Sequence, residues 1–292
     1  MMPVQTVQQQ YNKNIQMCKY FLCVFIYMTT RNWRAKQCRS GCKRVCTTNL
    51  VAYVPNTLTI STFSTVGTFT WVAPPYVTSI DYLLVGGGGG GGGAHDTGAA
   101  GGGGGGLALV GSASVSPGTT YAVVVGNGGT GGQGNAGIPR ETSGDDGGSS
   151  SFASVVALGG GGGFSSRAAN GFPGRGGAAA SGLIAPSGGN GAGNNVGGED
   201  GGGGGGNTTA GGSSNLTPAV SRTAGAGLTS NLSGSSLTYG AGGVGGTVFQ
   251  SFTGANAAAN TGNGGGGATT NSSDYKSGGN GGSGIVILKY YV

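Results

Sequence analysis

The feature that most constrains this chain is a strand-like run that passes directly into glycine. Residues 81–106 read DYLLVGGGGGGGGAHDTGAAGGGGGG, so an apolar stretch ending at Val85 is followed at once by eight glycines and then, after a short insert, by six more. Three interpretations compete for this pattern: a phosphate-binding loop, a flexible linker, and an ordered part of a fold.

A phosphate-binding loop requires more than glycine. Residues 86–93 match the spacing G-x-G-x-x-G, but a run of glycines matches any glycine spacing. In a functional loop a helix begins at this point and directs its first amides at the phosphate. Here Ala94, His95, Asp96 and further glycine follow, and the chain contains no Gly-Lys-Ser/Thr sequence. We therefore expect no nucleotide, and no other cofactor is predicted.

Glycine, charge and cysteine all divide the chain near residue 50. Of the 72 glycines, only Gly41 lies in the first 50 residues. The same segment holds eight Lys/Arg, no acid and all five cysteines, whereas the rest of the chain has six basic and eight acidic residues. We predict a basic, cysteine-containing N-terminal arm at 1–50 and a separate glycine-rich domain at 51–292.

Short β-branched and aromatic segments between the glycines predict strands. They lie at 57–63, 67–72, 78–85, 107–115, 119–126, 151–158, 246–252 and 283–291. Strands therefore open and close the body, with the glycine tracts between them, which favours one domain over two domains joined by a linker. Because no helical period follows residue 50, the predicted class is all-β.

Polyglycine can be ordered when several tracts pack together. Fixing one backbone residue costs roughly 1–2 kcal/mol, and one hydrogen bond returns only about 0.5–1.5 kcal/mol, so an isolated tract should stay disordered. In polyproline-II-like geometry, with three residues per turn, chains without Cβ atoms can approach closely and bond to several neighbours. We predict a bundle of polyglycine-II helices capped by short, sandwich-like antiparallel strands. Its tracts are 86–93, 101–106, 159–163, 201–206, 240–246, 264–267 and 278–284.

Four segments carry a recurring pattern of strands, turns and glycine runs: GTFTWVAPPYVTSIDYLLVGGGGGGGG (67–93), SVSPGTTYAVVVGNGG (114–129), SSFASVVALGGGGG (150–163) and GGSGIVILKYYV (281–292). Together they resemble the glycine-rich domain of bacteriophage tail-fibre tip adhesins and of virion proteins from large viruses. The resemblance covers about 67–292 and implies stacked polyglycine-II helices joined by variable loops. In the adhesins, such loops at the particle tip select the host receptor. The loops of this chain differ in being rich in Ser, Thr, Asn and Ala rather than in aromatic residues.

The inserts between the tracts are predicted to face outward, at 94–100, 138–146, 164–175, 185–200, 207–234 and 269–277. Their larger side chains are the predicted partner or receptor contacts, because small neighbours leave them most of the available contact area. These residues are Arg140, Phe164, Arg167, Phe172, Arg175, Tyr275 and Lys276.

The polar residues of the body do not form a catalytic or calcium-binding pattern. His95 is the only histidine, and a Ser-His-Asp catalyst would need both partners held beside it, so we interpret it as a polar loop residue and predict no enzyme. The adjacent acids Asp145–Asp146 and Glu199–Asp200 supply too few oxygens for calcium. We interpret them as solvated turns.

The N-terminal cysteines leave three alternatives open. Cys38, Cys42 and Cys46 recur every four residues, and with a fourth ligand from Cys18, Cys23 or a partner chain they could hold a structural zinc ion. Disulfides within or between subunits and free thiols are the other two interpretations.

The apolar run YFLCVFIYM (20–28) is too short for a membrane span, which needs about 20 residues. A signal peptide would have a core of this length, but no clear small-residue cleavage site follows. We predict a buried strand or arm that packs on a neighbouring subunit. Its contact residues are Tyr20, Phe21, Leu22, Val24, Phe25, Ile26 and Tyr27. The basic stretch 31–44 either contacts an acidic surface, nucleic acid or lipid head groups, or is simply solvated.

Four Asn-x-Ser/Thr sequons are candidate glycosylation sites, provided that the chain enters a secretory route. They begin at Asn207, Asn215, Asn231 and Asn271.

Together these features predict a non-enzymatic structural protein of a virion, either a minor capsid or surface component or a fibre-tip adhesin. Its partners would be other structural proteins of the same particle, in a homo- or hetero-oligomer, and a host receptor or glycan. Two alternatives are a secreted extracellular filament subunit assembled by N-terminal strand exchange and an ice- or carbohydrate-binding module.

Overall fold

The computed structural model describes residues 24–26, 35–37, 57–96, 98–134, 142–167, 201–212, 223–247 and 250–292. The chain divides into two compact units, residues 1–53 and 54–292. In the first unit, strand β1 (Val24–Ile26) pairs antiparallel with strand β2 (Ala35–Gln37). The described residues contain no helix, and hence none that could cross a bilayer. The all-β prediction, with short and mostly antiparallel strands, is confirmed for this part of the chain.

The second unit contains the remaining strands. They are β3 (Leu58–Phe63), β4 (Gly67–Val72), β5 (Ser79–Val85), β6 (Ala94–His95), β7 (Ala108–Ser114), β8 (Thr120–Val125), β9 (Ser150–Phe152), β10 (Val155–Ala157), β11 (Ser166–Arg167), β12 (Leu228–Ser230), β13 (Leu237–Tyr239), β14 (Tyr275–Lys276) and β15 (Ile285–Tyr291).

Eight of these strands form two antiparallel four-stranded sheets. One sheet has the order β3-β15-β5-β7 and the other the order β10-β9-β8-β4. The C-terminal strand β15 lies between β3 and β5, so the last part of the body completes a sheet begun by the first part. Side chains of β3 alternate between exposed and half-buried positions, as expected for a strand with one face on the core.

The core lies between the two sheets. Trp71 of β4 packs its ring against Phe152 of β9, at 5.9 Å between centroids, and against Tyr290 of β15, at 5.3 Å. Ile80 and Leu84 of β5 join the same buried cluster. A second cluster covers part of the outer face of the sheet β3-β15-β5-β7, where the hairpin β12–β13 packs through Leu228, Leu232 and Tyr239.

The glycine segment 86–93 is hydrogen-bonded with a repeat of three residues. Its first, fourth and seventh amides donate to carbonyls of segment 101–107, and its second, fifth and eighth amides to segment 142–148. Its third and sixth amides donate to 279–282. Successive amides therefore point in three directions around the axis of the segment.

The carbonyls of the same segment accept hydrogen bonds from three further segments, 129–132, 160–166 and 265–268. Segment 86–93 is therefore surrounded on all sides by other backbones, and its residues are buried. The packing leaves no space for side chains: a Cβ atom on Gly90 would overlap the carbonyl of Thr130, and one on Gly87 would overlap that of Asn127. We call this assembly of segments the glycine bundle.

Side-chain oxygens replace backbone acceptors in several places within the glycine bundle. Asn280 Oδ1 accepts from the amide of Gly131 at 2.8 Å, Asn263 Oδ1 from Ala241 at 2.9 Å, and Asp146 Oδ1 from Gly162 at 2.7 Å. These contacts satisfy donors that would otherwise lack a partner in the protein. Asp145 and Asp146 are exposed, as expected for solvated residues, but they lie in the hydrogen-bonded segment 142–148 and not in a turn. Glu199 and Asp200 lie outside the described residues.

Two predicted strands differ in the structure. The predicted strand 151–158 is divided into β9 and β10 by a tight turn in which Ala153 has a φ of 51°. The described part of 246–252 forms no strand, and Phe252 makes only an isolated bridge to Thr269. Gly246 instead belongs to the glycine tract 240–246, where its amide donates to the Ala100 carbonyl, and a run of small residues there favours backbone packing over a sheet.

Candidate functional site

The glycine bundle has two ends, which we call the sheet end and the tip. At the sheet end, Val85 of β5 passes directly into Gly86. At the tip, Gly93 passes into β6, the central strand of a small three-stranded sheet. Strand β11 pairs with β6 in parallel and β14 pairs with it antiparallel. We call this three-stranded sheet the tip sheet.

The tip sheet brings together residues from three inserts that are distant in sequence. Arg167 of β11 and Tyr275 of β14 are both in register with His95 of β6, and Lys276 is in register with Ala94. Phe164 lies two residues before β11 and is 52 % exposed. Four of the seven predicted contact residues, Phe164, Arg167, Tyr275 and Lys276, therefore lie at one end of the domain. Arg140, Phe172 and Arg175 lie outside the described residues.

His95 is buried rather than part of a polar loop, so that interpretation was wrong. Its side chain is 2 % exposed and stacks on Tyr275, with ring centroids 4.3 Å apart and planes inclined by 15°. The carboxylate oxygen Oδ2 of Asp96 lies 3.1 Å from Nδ1. This contact lacks hydrogen-bond geometry, so Nδ1 has no hydrogen-bond partner among the described residues. The stack of His95 on Tyr275 fixes β14 against the centre of the tip sheet.

The first predicted outward insert, 94–100, is also mostly buried. Ala94, Ala99 and Ala100 are almost inaccessible, and the amide of Ala100 donates to Ala268. The insert is short and consists largely of small residues, so it continues the backbone packing of the bundle. The exposed part of the tip comes instead from later inserts, such as residues 271–274.

The sequons differ in what their asparagines contact. Asn207 Oδ1 accepts from the amide of Ala108 at 3.0 Å and its Nδ2 donates to the Ala108 carbonyl at 3.4 Å, so this side chain caps the start of β7. Asn231, after strand β12, and Asn271, at the tip, are exposed. Asn215 lies outside the described residues.

The predictions for the N-terminal arm fall largely outside the described residues. This applies to Cys18, Cys23, Cys38, Cys42 and Cys46, and to Tyr20, Phe21, Leu22 and Tyr27. Val24, Phe25 and Ile26 are described as strand β1. Among the described residues of the whole chain, no three His, Cys, Asp or Glu side chains are grouped so as to hold a metal ion.

Sequence reasoning missed the tip sheet because its strands have only two residues each. No periodicity can be read from two residues, and their pairing joins positions 94, 166 and 275 across long stretches of chain. The one available signal was chemical: Tyr275 and Lys276 are large side chains in an insert of small ones, and both were selected on that ground.

A family model described as a glycine-rich domain matches residues 63–291, more than three quarters of the chain. The chain belongs to this glycine-rich domain family. The match covers the glycine bundle, the tip sheet and both four-stranded sheets except for most of strand β3, which ends at Phe63. Among curated proteins, no match was found.

Proposed function

We propose that this protein is a non-enzymatic structural component of a virion, as a minor capsid or surface protein or a fibre-tip adhesin. In this proposal the N-terminal arm docks the chain to other proteins of the particle. The glycine-rich domain then forms a rigid block that presents its tip to a host receptor or glycan.

The rigidity of the block rests on polyglycine-II geometry in the glycine bundle. A helix with three residues per turn directs successive amides in three directions, and the three-residue repeat of hydrogen bonds along 86–93 supports this geometry. The overlap expected for added Cβ atoms supports close contact between backbones. Hydrogen exchange tests the proposal directly: the amides of 86–93 should be strongly protected, and exchange at random-coil rates would contradict it.

The observation that carries the proposal is that the domain has two different ends. The chain enters at Thr57, which exchanges two backbone hydrogen bonds with Val292 at the end of β15 farthest from Gly86. The described residues on either side of the inserts 135–141 and 168–200 all lie near the tip. A domain whose first described residue lies at one end, and whose tip sheet and insert-flanking residues lie at the other, suits attachment at the first end and contact at the second.

Particle imaging combined with a truncation tests this function. The native particle would be imaged with the chain located in it by a specific label, and the incorporation of a chain lacking residues 1–50 would be compared with that of the full chain. We expect the full chain at the particle surface and loss of incorporation for the truncated chain. Normal incorporation of the truncated chain would contradict the docking role, and absence of the full chain from particles would contradict the structural role.

A further inference from the structure

The outer face of the sheet β3-β15-β5-β7 is covered over only part of its area. Near the glycine bundle, the hairpin β12–β13 buries Leu83 and Ile287. Farther from the bundle, no residue of the described part of the second unit covers this face. Leu58, Ile60 and Tyr291 are exposed there by 47, 39 and 53 %. We call this uncovered part the outer patch.

The outer patch contains both charged residues of the two four-stranded sheets, Asp81 of β5 and Lys289 of β15. They are direct cross-strand neighbours. Their side chains lie on the outer face, because the adjacent residues Ile80 and Leu288 point into the core. A sheet that carries only two charges, of opposite sign and side by side, has a surface complementary to itself.

Asp81 and Lys289 do not neutralise each other in a salt bridge within the sheet. Asp81 Oδ1 accepts a hydrogen bond from Ser112 Oγ at 2.7 Å. Among the described residues, the close contact between a basic side chain and a carboxylate is that of His95 with Asp96, so Lys289 and Asp81 form no salt bridge although they are paired in register. Both remain available for contacts outside the domain.

We propose that the outer patch binds the outer patch of a second copy of this chain in a two-fold symmetric dimer. The axis would lie between the two faces, parallel to the strands and above the gap between β5 and β15. Lys289 of each copy then lies over Asp81 of the other, as an isologous interface requires. Two such sheets would pack face to face with nearly aligned strands.

The sizes of the side chains agree with this arrangement. Ile60, Lys289, Asp81 and Ser112 form one row across the sheet. Under the proposed axis, the large Ile60 of one copy lies over the small Ser112 of the other. The exposed Leu58 and Tyr291 lie on strands β3 and β15, as Ile60 and Lys289 do. They would therefore also face the β5–β7 side of the second copy. The dimer concerns this surface alone and does not depend on the proposed virion role.

Charge reversal in the full-length chain tests the dimer. Sedimentation velocity should give the wild type a mass of twice 27.9 kDa. Lys289→Asp places two acids in each patch and Asp81→Lys places two bases, so each variant should dimerise at least about tenfold more weakly. An equimolar mixture of the two variants should form heterodimers, seen by native mass spectrometry, because each acidic patch then meets a basic one.

Two further variants separate association from folding. Asp274→Lys makes the same charge change as Asp81→Lys at an exposed position of the tip and should leave the dimer intact. The double variant Asp81→Lys/Lys289→Asp keeps one charge of each sign in every patch and should dimerise like the wild type even if the single variants fold poorly. A monomeric wild type at its highest soluble concentration would overturn the proposal. So would single variants that associate normally, or a mixture without heterodimers.

Discussion

The sheet end of this domain is stabilised mainly by its side chains, whereas the glycine bundle is stabilised mainly by its backbone. At the sheet end, side chains such as Trp71 and Phe152 interlock between two sheets, and removal of apolar surface from water supplies the stability. In the bundle, backbone amides and carbonyls bond to one another in several directions, and side-chain oxygens replace a backbone acceptor at only a few positions. Here close approach of the backbones replaces a hydrophobic core.

The comparison also separates the two properties for which proteins use glycine, a missing Cβ and freedom of φ. Gly90 in the bundle has a φ outside the left-handed region, yet a Cβ there would overlap another backbone. Tyr76 at the sheet end has a φ of 72° and is not glycine at all. At Gly90 the bundle therefore depends on the missing Cβ and not on an unusual φ. At Tyr76 the left-handed φ occurs together with a large side chain, which is 79 % exposed and therefore has open space around it.

The largest expected effect is that of Gly90→Ala. Because segment 86–93 is bonded on all sides, the added methyl group cannot be relieved by moving one neighbour, and we expect a loss of more than about 4 kcal/mol in the free energy of unfolding. Gly118→Ala is the matched control. It forces alanine into a φ of 76° but places the methyl group in open space, so it should cost only about 1–2 kcal/mol. Equal losses in denaturant titrations would contradict a role for the missing Cβ.

Phe152→Ala tests the other half of the comparison. Phe152 is fully buried against Trp71 and Tyr121, so truncation leaves a cavity between the sheets and should cost about 3–5 kcal/mol. Val156→Ala on the neighbouring strand β10 removes an exposed side chain and should change stability by less than about 0.5 kcal/mol. Denaturant unfolding of both variants measures the difference. Similar values for the two would mean that this core does not stabilise the sheet end.

The sequence predicted the sheet end far better than the arrangement of the bundle. The strands β3, β4, β5, β7, β8 and β15 lie within one or two residues of their predicted bounds, because alternation and β-branched residues mark a strand with one buried face. A glycine tract carries no such signal. All its residues are alike, so neither its neighbours nor its register can be read from the sequence.

Mixed segments of the bundle were missed for a related reason. Segments 126–134 and 142–148 contain Asn, Thr, Gln, Ser or Asp among their glycines, which is typical of loops. In the structure those side chains face outward or accept hydrogen bonds from a neighbouring backbone, as Thr142 Oγ1 does from Gln133. At the tip, the burial of His95 depends on its stack with Tyr275, which only the fold brings near.

Asn263→Ala tests whether side-chain acceptors complete the bundle where a backbone acceptor is missing. The change removes the oxygen that accepts from the Ala241 amide and leaves this donor without its partner, so we expect a loss of about 1–3 kcal/mol. Asn263→Asp keeps an acceptor oxygen and should lose less. Amide exchange at Ala241 should accelerate in the alanine variant alone. If both variants matched the wild type in stability and exchange, water would serve this donor equally well.

The smallest effect, and the only one of opposite sign, is expected for Tyr76→Asn. Tyr76 is 79 % exposed in a turn closed by a hydrogen bond from the Val77 amide to the Pro74 carbonyl, so its side chain contributes little packing to offset its left-handed conformation. Asparagine adopts this conformation more readily than tyrosine, and the variant should be more stable by about 0.5–1 kcal/mol. Tyr76→Ala removes the ring without relieving the backbone and should bring no gain. A higher melting temperature for the alanine variant but not for the asparagine variant would mean that the strain comes from the ring and not from the left-handed backbone. Tyr76 would then not be an example of a residue limited by its φ alone.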